Sequence, residues 1–131
     1  MSNEIDTILI DPFDESISRV TFNENNAFAS LGFETLRQED LISQVKTTMQ
    51  CDLIDVVYLG ADVIMIVDDE GRFNNQNRWF KLGDQAYAGR CVLANDNEGT
   101  TSSCNRSVDE IVALTTFLEE GYHEEPFMEF I

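Results

Sequence analysis

The chain has 131 residues, 43% of them hydrophobic, and a formal net charge of −17 from 25 acidic and eight basic side chains. That length suits one domain, and that much apolar material suffices for a core, which excludes a chain disordered throughout. The charge speaks against direct nucleic-acid binding, which draws on basic groups to displace counterions from phosphates, and against anionic membrane surfaces for the same reason. A basic protein surface is the natural complement, although acidity also serves plain solubility.

The acids are unevenly spread. Residues 1–71 carry fifteen acids and three bases, residues 72–106 three acids and five bases, and residues 107–131 seven acids and no base. The opening Met1-Ser2-Asn3-Glu4 lacks the basic-then-apolar order of a secretion signal. Cys51, Cys91 and Cys104 are odd in number and contain no CxxC pair, so a reducing, cytoplasmic setting is expected. The uncharged apolar runs, such as Val63 to Val67, are too short to span a bilayer.

In chain order, Ile5 to Ile10 is β-branched and apolar until Asp11-Pro12 breaks it, which predicts a first strand. Ser16 to Phe22 alternates, with Val20 and Phe22 on one side, and Pro12 to Glu15 supplies the hairpin loop. Asn25 and Asn26 are placed to cap a short helix through Ala27, Phe28 and Leu31, closed by Gly32. Gln38 to Gln50 reads as a helix, because Leu41, Ile42, Val45 and Met49 recur at offsets that share one face. Cys51 to Leu59 and Val63 to Val67 are β-rich around Gly60-Ala61-Asp62, which predicts a central hairpin covered on both sides or nearly so.

Asp68-Asp69-Glu70-Gly71 reads as a turn, and Arg78-Trp79-Phe80 as strand or a single helical turn. Ala88 to Ala94 forms the last clear strand, followed by a polar loop over Thr100 to Asn105. Ser107-Val108-Asp109-Glu110 matches a capping box, predicting a helix that buries Ile111, Leu114 and Leu118 and stops at Gly121. The expected fold is α+β: a small antiparallel or mixed sheet with two to three helices packed mainly on one face. One domain over residues 1–121 is followed by an acidic, aromatic tail over 122–131.

No catalytic constellation stands out. His123 is the lone histidine, in a charged segment, and nothing in the spacing brings it to a cysteine or serine. The three cysteines are too far apart in sequence for the close ligand pairs zinc favours. Asp68, Asp69 and Glu70 form the tightest acidic cluster and are the weak metal candidates, but the calcium-loop template wants Gly and Glu where Phe73 and Trp79 stand. We therefore expect no cofactor and no catalytic residues.

The tail offers the partner-binding candidates. Tyr122, Phe127, Met128, Phe130 and Ile131 are spaced among Glu124, Glu125 and Glu129, a pattern suited to a groove with a basic rim. The competing reading folds these apolar residues back to complete the core, since leaving them wet is costly.

Three motifs point to relatives: Cys51-Asp52-Leu53-Ile54-Asp55-Val56-Val57, Ile66-Val67-Asp68-Asp69-Glu70-Gly71, and Ala88-Gly89 ahead of a β run. With the Ile8-Leu9-Ile10-Asp11-Pro12 opening, these resemble a family of small proteins of unknown function from bacteriophages, plasmids and actinobacteria. The resemblance covers most of residues 7–112 and departs in a longer segment at 23–38 and in the tail. It implies a mobile-element origin and a compact α+β fold, and carries over no catalytic residues. The expected function is an acidic binding or inhibitory accessory protein docking on a basic protein, including as a DNA mimic. The alternatives are a structural or self-associating homodimer and a small metal-dependent enzyme.

Overall fold

Alternating apolar residues lay down the first hairpin, β1 (Glu4–Asp11) and β2 (Ser16–Asn23), paired from Glu4↔Asn23 to Asp11↔Ser16. The Asp11 carboxylate closes its turn by accepting from the amides of Phe13 (3.0 Å) and Asp14 (3.3 Å). Helix α1 (Glu34–Met49) follows, then β3 (Ile54–Gly60) and β4 (Val63–Asp68) as a second hairpin. The chain continues through β5 (Trp79–Leu82), β6 (Gln85–Ala88), β7 (Cys91–Asn97), β8 (Thr100–Ser102), α2 (Val108–Leu114) and β9 (Thr115–Phe117). This computed structural model describes residues 4–23, 34–69 and 78–122, with 34–40 described by their backbone alone.

The main sheet has the order β2-β1-β7-β4-β3, every pair antiparallel, with β8 added to the end of β7. Thus β7 slots between the two hairpins and staples them together. A second antiparallel sheet, β6-β5-β9, is built from the later part of the chain.

Side-chain alternation gives the main sheet two buried faces. On one, Ile8, Ile10, Met65, Cys91 and Leu93 pack with Phe80 of the second sheet and Ile111 of α2. On the other, Phe22, Ile66 and Val92 pack against Val45 and Met49 of α1. Trp79 is fully buried on the far side of the second sheet, with Ala86, Ala88, Leu118 and Tyr122 around it.

This architecture corrects the expected α+β fold. The protein is predominantly antiparallel sheet with two helices among its described residues, and those helices lie on opposite faces of the main sheet. The reason is visible at two places. Trp79-Phe80 and the segment after Gly83 form a hairpin, and Thr115-Thr116-Phe117 pairs with β5 (Phe80↔Phe117, Leu82↔Thr115). The C-terminal helix therefore ends at Leu114 and not near Glu120, and Leu114 is 55% exposed where burial was expected. β-Branched residues at 115 and 116 favour the strand once a partner is present.

Other expectations hold. The capping box is intact, with Ser107 Oγ accepting from the Glu110 amide (3.1 Å) and the Glu110 carboxylate accepting from the Ser107 amide (2.9 Å). On α1, Leu41, Val45 and Met49 face the core, whereas Ile42 is exposed at the margin. The hairpin read as covered on both sides is covered only in β4, because β3 is an outer strand whose Val56, Tyr58 and Leu59 are exposed. The helix read across Asn25 to Gly32 lies outside the described residues.

Candidate functional site

Strand direction sorts the carboxylates to the two ends of the main sheet. At one end lie the start of β1, the β3–β4 turn and the β7–β8 turn, with Glu4, Asp6, Asp62, Asp96 and Glu98. The two turns touch, since the Asp96 amide donates to the Asp62 carbonyl at 2.8 Å. Asp62 and Glu98 hold the left-handed backbone (φ 64° and 52°) that tight turns require. The Asp96 carboxylate organises its turn by accepting from the Gly99 amide (3.1 Å), and Asp6 accepts from the Thr21 hydroxyl (2.7 Å). None of the described strand ends and turns here carries a lysine or arginine.

At the opposite end two carboxylates of the β1–β2 turn are held by arginines. Arg90 Nε donates to Asp11 Oδ2 at 3.2 Å, and its guanidinium lies 4.5 Å from the centre of the Phe13 ring. Arg78 Nη2 donates to Glu15 at 2.7 Å. Two of the cations that make residues 72–106 net basic in sequence are thus spent on the β1–β2 turn. Arg19 makes a further tie, its guanidinium donating to the carbonyls of Cys104 (3.3 Å) and Arg106 (2.6 Å), and Arg106 itself lies 3.6 Å from the Glu110 carboxylate.

The acidic turn candidates separate. Asp68 ends β4 and is buried on the α1 face, Asp69 is exposed, and Glu70 lies outside the described residues. Among the described residues no three His, Cys, Asp or Glu side chains gather to hold a metal ion.

All three cysteines are free. Burial, reinforced by the charges of Asp68 and Asp52 and opposed by Lys46, pushes the Cys51 thiol up to about 11. Burial raises Cys91 further still, with Asp68 adding to it. Both thiols stay protonated at neutral pH, the reverse of what a thiolate nucleophile needs.

Of the tail candidates, Tyr122 is described and packs on Trp79; Glu124, Glu125, Phe127, Met128, Glu129, Phe130 and Ile131 lie outside the described residues, as does His123. Two open depressions run along α1, one of about 360 Å³ lined by Val20, Thr21, Phe22 and the Ser43 to Thr48 side of the helix, the other of about 530 Å³ around Lys46, Gln50 and Asp52. Neither was foreseen, because the first arises from the fit of α1 onto β2 and the second from the way the chain leaves the end of α1. No helix of the described residues is long and apolar enough to cross a membrane.

A family model described as a domain of unknown function (DUF3846) matches residues 7–116. The chain belongs to the DUF3846 family. The match spans every described strand from β1 through most of β9, so the two-sheet unit with α1 and α2 is the DUF3846 domain of this chain. No curated protein and no solved structure gave a match. The acidic end is part of that DUF3846 domain apart from Glu4 and Asp6, which precede the matched residues.

Proposed function

We propose that this DUF3846 protein is an acidic binding protein that docks on a basic macromolecular partner through the acidic end of its main sheet. The observation that carries the reading is the contrast between the β1–β2 turn and the adjoining β3–β4 and β7–β8 turns. Asp11 and Glu15 are each held by an arginine, whereas Asp62, Asp96 and Glu98 share adjoining turns without a described cation beside them. Field lines from such an end attract a positively charged surface and speed encounter with it.

A nucleic-acid-binding protein is the natural class of basic partner, with carboxylates standing where phosphates would. Origin on a mobile element would make host proteins the targets. The three free thiols support a reducing, cytoplasmic setting.

The test is titration with a lysine-rich probe such as protamine at low and high salt. Asp62→Asn, Asp96→Asn and Glu98→Gln are combined in one variant, keeping the turn acceptors. A control variant removes the same charge through Asp84→Asn, Asp109→Asn and Glu119→Gln. The reading expects the first variant to lose about tenfold or more in affinity at low salt and the control much less. Equal losses would mean that net charge alone, and no particular end, is recognised.

A further inference from the structure

Outer strand β3 has a partner, β4, on one side only among the described residues. The Asp69 amide donates to the Leu53 carbonyl at 3.0 Å, which fixes the phase of the pairing. Main-chain groups alternate in direction along an antiparallel strand, so Leu53, Asp55 and Val57 address β4 while Ile54, Val56 and Tyr58 address the outside. An independent contact agrees with this phase: the Val56 amide donates to the carboxylate of its own neighbour Asp55, at 2.8 Å, and to no adjoining strand.

The same stretch is apolar and wet. Tyr58 is 71% exposed and Val56 39%, with Leu53 and Leu59 also exposed. It is also lightly charged. On a chain of −17, residues 53–61 hold one charged side chain, Asp55. An outward-facing ladder of unpaired amides and carbonyls is a template for another strand.

We propose that β3 is a self-association surface on which a second copy of this chain adds its own β3 antiparallel, joining the two main sheets into one. Charge selects the register. With the twofold axis at Val56, Val56 faces its counterpart, Ile54 faces Tyr58 and Asp55 faces Val57, so an aromatic meets a β-branched side chain twice. Moving the axis to Asp55 would set the two Asp55 side chains directly opposite each other, a like-charge pair that disfavours that register. Two chains so acidic meet with less repulsion along a stretch that holds a single carboxylate.

Asp55 is the restraint on this surface. Its carboxylate must release the Val56 amide for the second copy to bond there, and the two Asp55 groups then lie on the same face of the joined sheet. Salt therefore strengthens this contact, opposite to its effect on docking a basic partner. The inference is independent of the acidic-end reading, and either stands if the other fails.

Sedimentation of the full chain over a range of concentrations, at low and high salt, tests it. The expected result is a monomer–dimer equilibrium about tenfold tighter at high salt. Asp55→Asn keeps an acceptor for the Val56 amide and tightens the dimer at low salt. Val56→Pro removes an outward donor without touching a bond to β4; with a near-native melting transition, it gives a monomer. Tyr58→Lys, at a side chain already in water, weakens the dimer without unfolding the protein.

A chain that stays monomeric at every concentration and salt, in both the native and the Asp55→Asn forms, overturns the proposal. So does a dimer indifferent to Val56→Pro and Tyr58→Lys. Slow hydrogen exchange at Ile54, Val56 and Tyr58 in a monomer would also overturn it, by showing the edge occupied by a segment of the same chain.

Discussion

Trp79 and Tyr122 meet edge to face, their ring centroids 5.5 Å apart and their planes at 71°. The contact lies on the side of the second sheet turned away from the main sheet, and it closes the cover over a tryptophan with no exposed surface. Tyr122, the first residue of the expected tail, packs on Trp79.

Replacing Tyr122 with Leu keeps apolar bulk but loses the ring geometry, and should cost about 1 kcal/mol. Urea unfolding followed by Trp79 fluorescence measures it. An unchanged midpoint would show that Trp79 is sealed without this ring.

The early end of α2 makes a paired prediction. Ile111 is 4% exposed and joins the main core, whereas Leu114 is 55% exposed. Ile111→Ala should destabilise by about 3 kcal/mol and Leu114→Ala by well under about 1 kcal/mol. Comparable losses at both sites would restore the longer helix read from the sequence.

Gln50 ends α1 in a left-handed conformation, φ 57°, while its amide donates to the Thr47 carbonyl (3.2 Å) and the Cys51 amide to the Lys46 carbonyl (3.1 Å). This is the Schellman arrangement, and its left-handed position favours glycine. Gln50→Gly should therefore raise stability by about 0.5 to 1 kcal/mol, read as an upward shift in melting temperature.

Thiol ionisation sets the alkaline limit. In the unfolded chain Cys51 ionises near its ordinary value of 9.0, and in the folded chain near 11, so between those values the folded state holds the proton more tightly. The stabilisation is fully present below the unfolded value and is lost as pH rises through the folded one. Stability should fall with pH across that window, and Cys51→Ala should flatten part of the slope. Alkylation near neutral pH should be slow at Cys51, whose thiol stays protonated, and slower at fully buried Cys91; fast modification would contradict the raised thiol at Cys51 or the burial of Cys91.

Local signals carried much of this fold. The β1–β2 alternation, the Leu41, Val45 and Met49 offsets and the Ser107–Glu110 box depend on residues a few positions apart, and each gave the right element. What failed was decided at a distance. Leu114 and Leu118 keep helical spacing, yet the strand at Thr115–Phe117 exists because β5, more than thirty residues earlier, offers it an edge. Arg78-Trp79-Phe80 was undecidable by pattern for the same reason, because Trp79 and Phe80 open a four-residue strand that is stabilised from both sides.

The candidate surfaces divide the same way. Excess acid is plain in the composition, but composition cannot say that Asp62 and Asp96 share a corner or that Arg90 is given to Asp11. The apolar Val56-Val57-Tyr58 run promised a strand, and its outermost position came only from the order of the sheet.

Strand β7 serves two compartments at once: Cys91 and Leu93 point into the one shared with the second sheet, Val92 into the one under α1, and Ala94 follows on that side. It is a party wall between two rooms, with tenants on both sides leaning on the same few residues. Neither room can empty while the other stays furnished, so the molecule should melt in a single step, with the β7 amides the last to exchange.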